Sequence, residues 1–296
     1  MKRLDRFAGV PICRILSAAY ALRRRVPARG AEPLGETSRV LFIELSEMGS
    51  MVAAYPALRT VCVRVGPERV YFLTLQQNRH CVDMLQLIPR DNVLTLSNDS
   101  GPSFLISAFR CWRTLRSLRL DAAIDLELFS RISSIFSYAS GARRRAGYDR
   151  YAMEGLYRGS FLTHPVTYNH GLHISRNFMA LVRALETGAE DRPLLKEAVG
   201  DDRIRIPRIE ADPERKRALR ERVIAACPAA RDASRWILMN PNAGDLLPIR
   251  AWPLERYIEL GRRLLAEDPK AVLVVMGTDE ATDDAARIVA ELGAAR

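Results

Sequence analysis

Neither a GxGxxG nor a GxxxxGK stretch occurs in the 296 residues, which removes the main support for a dinucleotide site or a P-loop. The five cysteines, Cys13, Cys62, Cys81, Cys111 and Cys227, are odd in number and scattered, with no CxxC spacing and no neighbouring histidine cluster. That pattern excludes a disulfide frame and a metal knot as organising devices and reads as buried thiols in a reducing cytoplasm. The chain also has no apolar run fit to span a bilayer: the one near its start is split by Arg14, and no small-residue cleavage site follows it. Neither a transmembrane span nor a signal peptide is indicated. Aromatics make up only 7% of the residues and do not interleave with the arginines, so nucleic acid is not the partner that the basic charge implies.

What is present is a large apolar fraction, 48% of the chain, enough to bury a core in each of two α/β units. The formal charge of +10 calls for an anionic partner, and phosphates on a small substrate or an anionic membrane surface both suit it. Residues 1–35 sharpen that choice. "MKRLDRFAGVPICRILSAAYALRRRVPARG" mixes Phe7, Ile12, Ile15, Tyr20 and Leu22 with Lys2, Arg3, Arg6 and Arg14, and closes on Arg23, Arg24 and Arg25. One reading is a basic amphipathic helix lying on the inner membrane surface through residues 1–30. The other is a helix packed on the domain's own surface.

After the link "VPARGAEPLGE", strand-like runs alternate with helical patterns. Strands are expected at 40–44, 70–75, 92–96 and 122–126, and helices at 51–65, 78–87, 103–118 and 131–139. This alternation predicts a parallel, doubly wound sheet. Residues 140–150 read as a basic turn, residues 151–169 as loop, and 173–186 as a further helix. The charged, proline-punctuated stretch from 190 to 215 reads as the inter-domain connection, giving domains at 36–200 and 201–296. In the second, strands at 236–240 and 271–276 alternate with helices at 253–266 and 279–292, and two βα units are expected to be a domain cut short.

Ligands of doubly wound sheets sit at the carboxyl ends of the strands. "FIELSEMGSM" occupies that position after the first strand: Gly49 permits close backbone approach, and the amides from Gly49 to Val52 would point at an anion. The plainer reading is a tight turn with Ser50 as the helix N-cap. A matching loop, "LMNPNAGDLLPIRAWPLERY", sets Asn242, Gly244 and Arg250 beside a helix start, which suits a diphosphate. "GTDEA" at 277–281 follows the next strand in the same way, though acidic residues also suit a helix's first turn. "AAIDLELFSR" places Asp125 and Glu127 on one face of a strand end, as a general base or as holders of sugar hydroxyls. Arg143, Arg145 and Arg158, with His164 nearby, would suit an anionic acceptor.

The segments "VLFIELSEMGSMVAAYPALR", "AAIDLELFSR", "SGARRRAGYDRYAMEGLYRG" and "NPNAGDLLPIRAWPLERYIELGRRLL" resemble glycosyltransferase family 9, the ADP-heptose:lipopolysaccharide heptosyltransferase group, over residues 38–296. The resemblance implies a GT-B fold, with an acceptor domain and a nucleotide-sugar domain facing each other. It also implies inverting transfer without a metal or other cofactor. The partners it implies are a nucleotide sugar and an anionic glycolipid, met on the cytoplasmic face. By that resemblance Gly49, Asn242, Gly244 and Arg250 hold the donor diphosphate, while Glu127, Arg143, Arg145, Arg158 and His164 hold the acceptor.

Two departures stand out. Typical members read Leu-Ser-Ser-Leu-Gly-Asp in the first loop, with the aspartate as base, where this chain has Ser50. Glu47 is the expected substitute, with Asp125 behind it. The family usually continues through further βα units with an Asp-Thr-Gly-Pro-x-His segment, which nothing after Arg296 supplies; "NDSGPSF" at 98–104 is similar but lies in the first domain without the histidine. A truncated module that binds an anionic glycolipid without transferring sugar is the alternative reading.

Overall fold

The computed structural model describes residues 5, 7–23, 34–148, 157–187, 199–200, 204–206, 208, 210–241, 252–277 and 282–293. The chain divides into two compact units, Met1–Ile209 and Glu210–Arg296.

The first unit is built on a six-stranded, all-parallel sheet. Its strands are β1 (Val40–Ile43), β2 (Val70–Leu75), β3 (Val93–Leu96), β4 (Ala122–Asp125), β5 (Arg144–Tyr148) and β6 (His164–Val166). They lie in the order β3-β2-β1-β4-β5-β6. Every residue of β1 and β4 is buried, as a parallel sheet covered on both faces requires. The chain winds outward from β1 first through β2 and β3 and then through β4, β5 and β6. The carboxyl ends of β1 and β4 therefore meet where the strand order reverses, the position at which doubly wound folds bind ligands.

One face of the sheet carries α2 (Met48–Ala53), α3 (Tyr55–Val65), α4 (Arg79–Leu85) and α7 (Ile174–Ala184). Their apolar residues join Phe42, Phe72 and Ile124 in the larger core cluster. The other face carries α5 (Gly101–Ser117) and α6 (Arg131–Ala139), whose Phe104, Leu115, Ile132 and Phe136 pack on Leu41, Leu73 and Leu96. Outside this second layer α1 (Gly9–Arg23) packs on α6. Cys13 is fully buried, Gly9 sits close against the Arg131 side chain, and Tyr20 meets the Tyr138 ring edge-on at 6.1 Å.

Three local readings of the sequence are corrected. The "basic turn" is β5, and β6 lies within the stretch read as loop. Arg144 and Arg145 break the apolar pattern of a buried strand, yet both are buried, with the Arg145 guanidinium bonded to the carbonyls of Ala142 and Phe161. The helix expected over 51–65 starts at Met48 and divides at Ala54, because Pro56 supplies no amide to continue the ladder. Ser50 is therefore inside α2 and not its N-cap. Glu47 is the capping residue, without a side-chain cap bond.

In the second unit β7 (Trp236–Met239) pairs in parallel with β8 (Val272–Val275). Three helices accompany them: α8 (Pro213–Ala226), α9 (Leu254–Glu267) and α10 (Thr282–Leu292). Met239, Ile258 and Ile288 form its core. Helix α8 falls partly in the expected connection and buries none of its residues, so it has no apolar period to betray it. Its cap is plain: Asp212 accepts from the amides of Glu214 and Arg215.

Candidate active site at the ends of β1 and β4

The register Ile43↔Asp125 sets the ends of β1 and β4 side by side. From there the two βα turns are joined through one carboxylate oxygen. Glu127 Oε1 accepts from the amides of Leu45 (2.9 Å) and Ser46 (3.0 Å) and from the Ser46 hydroxyl (2.7 Å). On the β2 side, Asn78 Nδ2 donates to the Leu45 carbonyl at 2.8 Å. The turn "ELSEMGS" is thus fixed from both neighbouring strands.

Beneath it lies a layer of buried ionisable groups. Glu44 is buried within reach of Glu127, and its Oε1 accepts from the Glu47 amide at 3.3 Å. Burial first, and then the charge of Glu127, push the Glu44 carboxyl well above the usual range. Both causes favour the protonated form of Glu44, in which it can hydrogen-bond to Glu127 where two charged carboxylates would repel. Asp125 is also buried, and burial pushes it up to about 6 even though Arg158 opposes that shift. Arg158 pairs with Asp125, and it also donates to the carbonyls of Glu127 and Ser130 and to Ser133 Oγ. At the end of β5, the Tyr148 hydroxyl is buried with no hydrogen-bond partner among the described residues.

Above this layer the surface presents Glu47. It is exposed, at the start of α2, and its Oε2 accepts from the Ser50 hydroxyl at 2.9 Å. Fixing one oxygen of an exposed carboxylate orients the other toward whatever docks there. The arrangement is one solvent-facing carboxylate on a turn tied to both neighbouring strands, above a buried layer of three carboxyl groups and one guanidinium.

The structure places Glu47 at the surface, bonded to the buried Ser50, with Asp125, Glu127 and Arg158 below them. Gly49 is exposed, and a Cβ there would meet nothing within 4 Å, so no neighbour among the described residues requires a glycine at this point. Arg143 is exposed, but Arg145 and His164 are buried. The Arg145 guanidinium lies 5.1 and 5.3 Å from the centres of the Tyr20 and Tyr138 rings, and His164 Nδ1 is 2.7 Å from Thr163 Oγ1. The expected acceptor group therefore does not form one solvated face. Asn242, Gly244 and Arg250 lie outside the described residues, as does 278–281 of "GTDEA". Glu44 and Tyr148 were not foreseen: Glu44 reads as the last residue of a strand, and Tyr148 belongs to a strand read as turn.

No protein-family model and no curated protein sequence matches the chain. Among solved structures, it is similar to Escherichia coli ADP-heptose LPS heptosyltransferase II, with 18% identity over 86% of this chain and 69% of that one, at a TM-score of 0.62. A family 9 glycosyl transferase from Veillonella parvula aligns at 13% identity, covering 87% and 68%, with a TM-score of 0.60. Escherichia coli heptosyltransferase WaaC, solved with ADP-2-deoxy-2-fluoro heptose, aligns at 15% identity, covering 85% and 73%, with a TM-score of 0.54. The α/β fold is of the GT-B type that these glycosyltransferases share.

Proposed function

We propose that the chain is a glycosyltransferase that moves a sugar from a nucleoside-diphosphate donor to a hydroxyl of an anionic glycolipid. The observation that carries this reading is the exposed Glu47, held by Ser50 at the switch point of the sheet above the buried Glu44. The fold shared with heptosyltransferases supports it and favours an ADP-heptose donor.

The chemistry follows from the groups present. A Glu47 carboxylate oxygen takes the proton of the acceptor hydroxyl while the acceptor's own oxygen attacks the anomeric carbon in line. The bond from the anomeric carbon to the diphosphate oxygen breaks, the diphosphate leaves with the electron pair, and the configuration inverts. Neither metal nor cofactor is needed in this scheme. Gly49, Asn242, Gly244 and Arg250 are assigned to the departing diphosphate, whose charge amides and a guanidinium would stabilise. Arg143, with its exposed guanidinium, is assigned to the anionic acceptor. The upward shift of the Glu44 carboxyl works against a third negative charge in the turn that carries the base.

The test is to incubate the full chain with ADP-heptose, and in parallel with other nucleoside-diphosphate sugars, in the presence of a Kdo-lipid acceptor. Release of nucleoside diphosphate with a matching mass increase of the acceptor is expected. Absence of both with every donor would overturn the proposal.

A further inference from the structure

The outer surfaces of α1 and α5 are apolar where a surface helix of a soluble domain would be polar. Helix α1 turns Gly9, Cys13 and Ser17 inward, with Ser17 Oγ accepting from the Ser160 amide at 2.8 Å. Its outer surface exposes Ile12, Ile15 (68%) and Leu22, and Phe7 (76%) is exposed just ahead of it. Helix α5 packs Phe104, Cys111 and Leu115 on the sheet. It exposes Leu105 (62%), Ile106, Phe109 (56%) and Trp112, the last two with ring centroids 5.7 Å apart.

Both helices belong to the same side of the sheet, and α6 touches each of them. Their polar positions carry one sign of charge. Arg14 on α1 and Arg110, Arg113 and Arg116 on α5 are exposed, and neither helix contains a single acidic residue. Large apolar side chains rising from convex helix surfaces, mixed with arginine and one tryptophan, match the depth profile of a headgroup region: rings and aliphatic chains below, guanidinium groups at the phosphates. Among the described residues no helix is long and apolar enough to cross a membrane, so such a surface lies on a bilayer and does not penetrate it.

We propose that α1 and α5 together dock the protein on an anionic bilayer surface. The proposal goes beyond glycosyl transfer and does not depend on it. A second copy of the chain fits less well, because pairing this face with itself brings arginine against arginine. An acidic protein would match the charge, but protruding apolar side chains offer it no groove to fill.

The full chain is mixed with vesicles of phosphatidylglycerol and phosphatidylethanolamine, and separately with vesicles of phosphatidylcholine alone. Sedimentation with the anionic vesicles is expected, weakened by salt, with little binding to the neutral ones. In a variant carrying Trp236→Phe and Trp252→Phe, Trp112 is the remaining tryptophan, and brominated lipids are expected to quench it. The exposed pair Ile15→Asp and Phe109→Asp should lower vesicle affinity by about tenfold or more. Arg110→Gln with Arg113→Gln should remove the preference for anionic lipid. Circular dichroism of each variant checks that the fold is kept.

Unchanged vesicle binding in both pairs of variants, or no quenching of Trp112, would overturn the proposal. So would a dimer in light scattering that the same apolar substitutions abolish, which would make this face a contact between copies. Transfer to a soluble acceptor is measured alongside, so a failed docking surface and a failed activity give different results.

Discussion

Arg158 and Asp125 form an ion pair in which both side chains are buried, tying the segment ahead of β6 to the end of β4. Because Arg158 also serves two backbone carbonyls, removing it strips donors from Glu127 and Ser130 and leaves Asp125 alone in the core. Arg158→Met should therefore cost about 3–5 kcal/mol of stability. Adding Asp125→Leu to that variant should recover part of the loss, since no lone charge would remain. Urea unfolding of the two single variants and the double variant measures the coupling.

The same buried layer sets a pH dependence. Asp125 is pushed up from 3.8 to about 6 and Glu44 also lies well above its usual range, so the folded chain holds protons that the unfolded chain gives up. This contribution is complete below about pH 4 and is lost as pH rises through the folded values; for Asp125 alone it is on the order of 3 kcal/mol. Exposed Glu259 and Asp268 are shifted the other way, but solvent screens them. Unfolding midpoints measured near pH 5 and near pH 8 should favour the acid side, and Glu44→Gln with Asp125→Asn should flatten the difference.

These two carboxyls show how far the sequence could be read. The strands β1 to β4 are apolar runs between turn residues, and their places were legible for that reason. Strand β5 was not, because Arg144 and Arg145 are soluble-looking residues whose charges the fold buries against carbonyls and rings. Asp125, Glu127 and Arg158 were picked out by type and spacing, but spacing cannot reveal the bonds they make to one another. Glu44 was hidden for the opposite reason: it stands three residues from Glu47 in the quoted turn, and only burial separates the one carboxyl from the other.

The Tyr148 hydroxyl is buried without a partner among the described residues. A hydroxyl in that position carries an uncompensated desolvation cost of about 1–3 kcal/mol. Tyr148→Phe keeps the ring, including its edge-on contact with Tyr168 at 5.3 Å, and should raise the thermal midpoint. A fall in that midpoint would mean that the hydroxyl is bonded in solution.

Helix α1 is held by a cap supplied from outside α6. Asp5 Oδ1 accepts from the amides of Arg131 and Ile132 at 2.8 and 3.0 Å, and its Oδ2 lies 3.2 Å from Arg131 Nη1. Asp5→Ala should cost about 1–2 kcal/mol, as loss of an N-terminal cap does. It should also free α1 to lift from α6 and unwind, opening the backbone at the already exposed Arg14 to protease. Faster tryptic cleavage at Arg14, with an unchanged rate at Arg113, would separate local release from general unfolding.

The assignment of the base is tested at Glu47 and Ser50. Glu47→Gln preserves size and can still accept from the Ser50 hydroxyl through its amide oxygen, but it cannot take a proton from the acceptor. Transfer should fall by at least about a hundredfold, the usual scale for losing a general base, while nucleotide affinity stays the same. Ser50→Ala removes only the bond that orients Glu47 and should cost less, about tenfold or under. In the double variant Glu47→Gln with Ser50→Asp, the carboxylate moves to the position where family 9 sequences carry it. Recovery of transfer there, measured as nucleoside diphosphate release, would establish that one turn accommodates the base at either position. Full activity of Glu47→Gln alone would remove Glu47 from the mechanism.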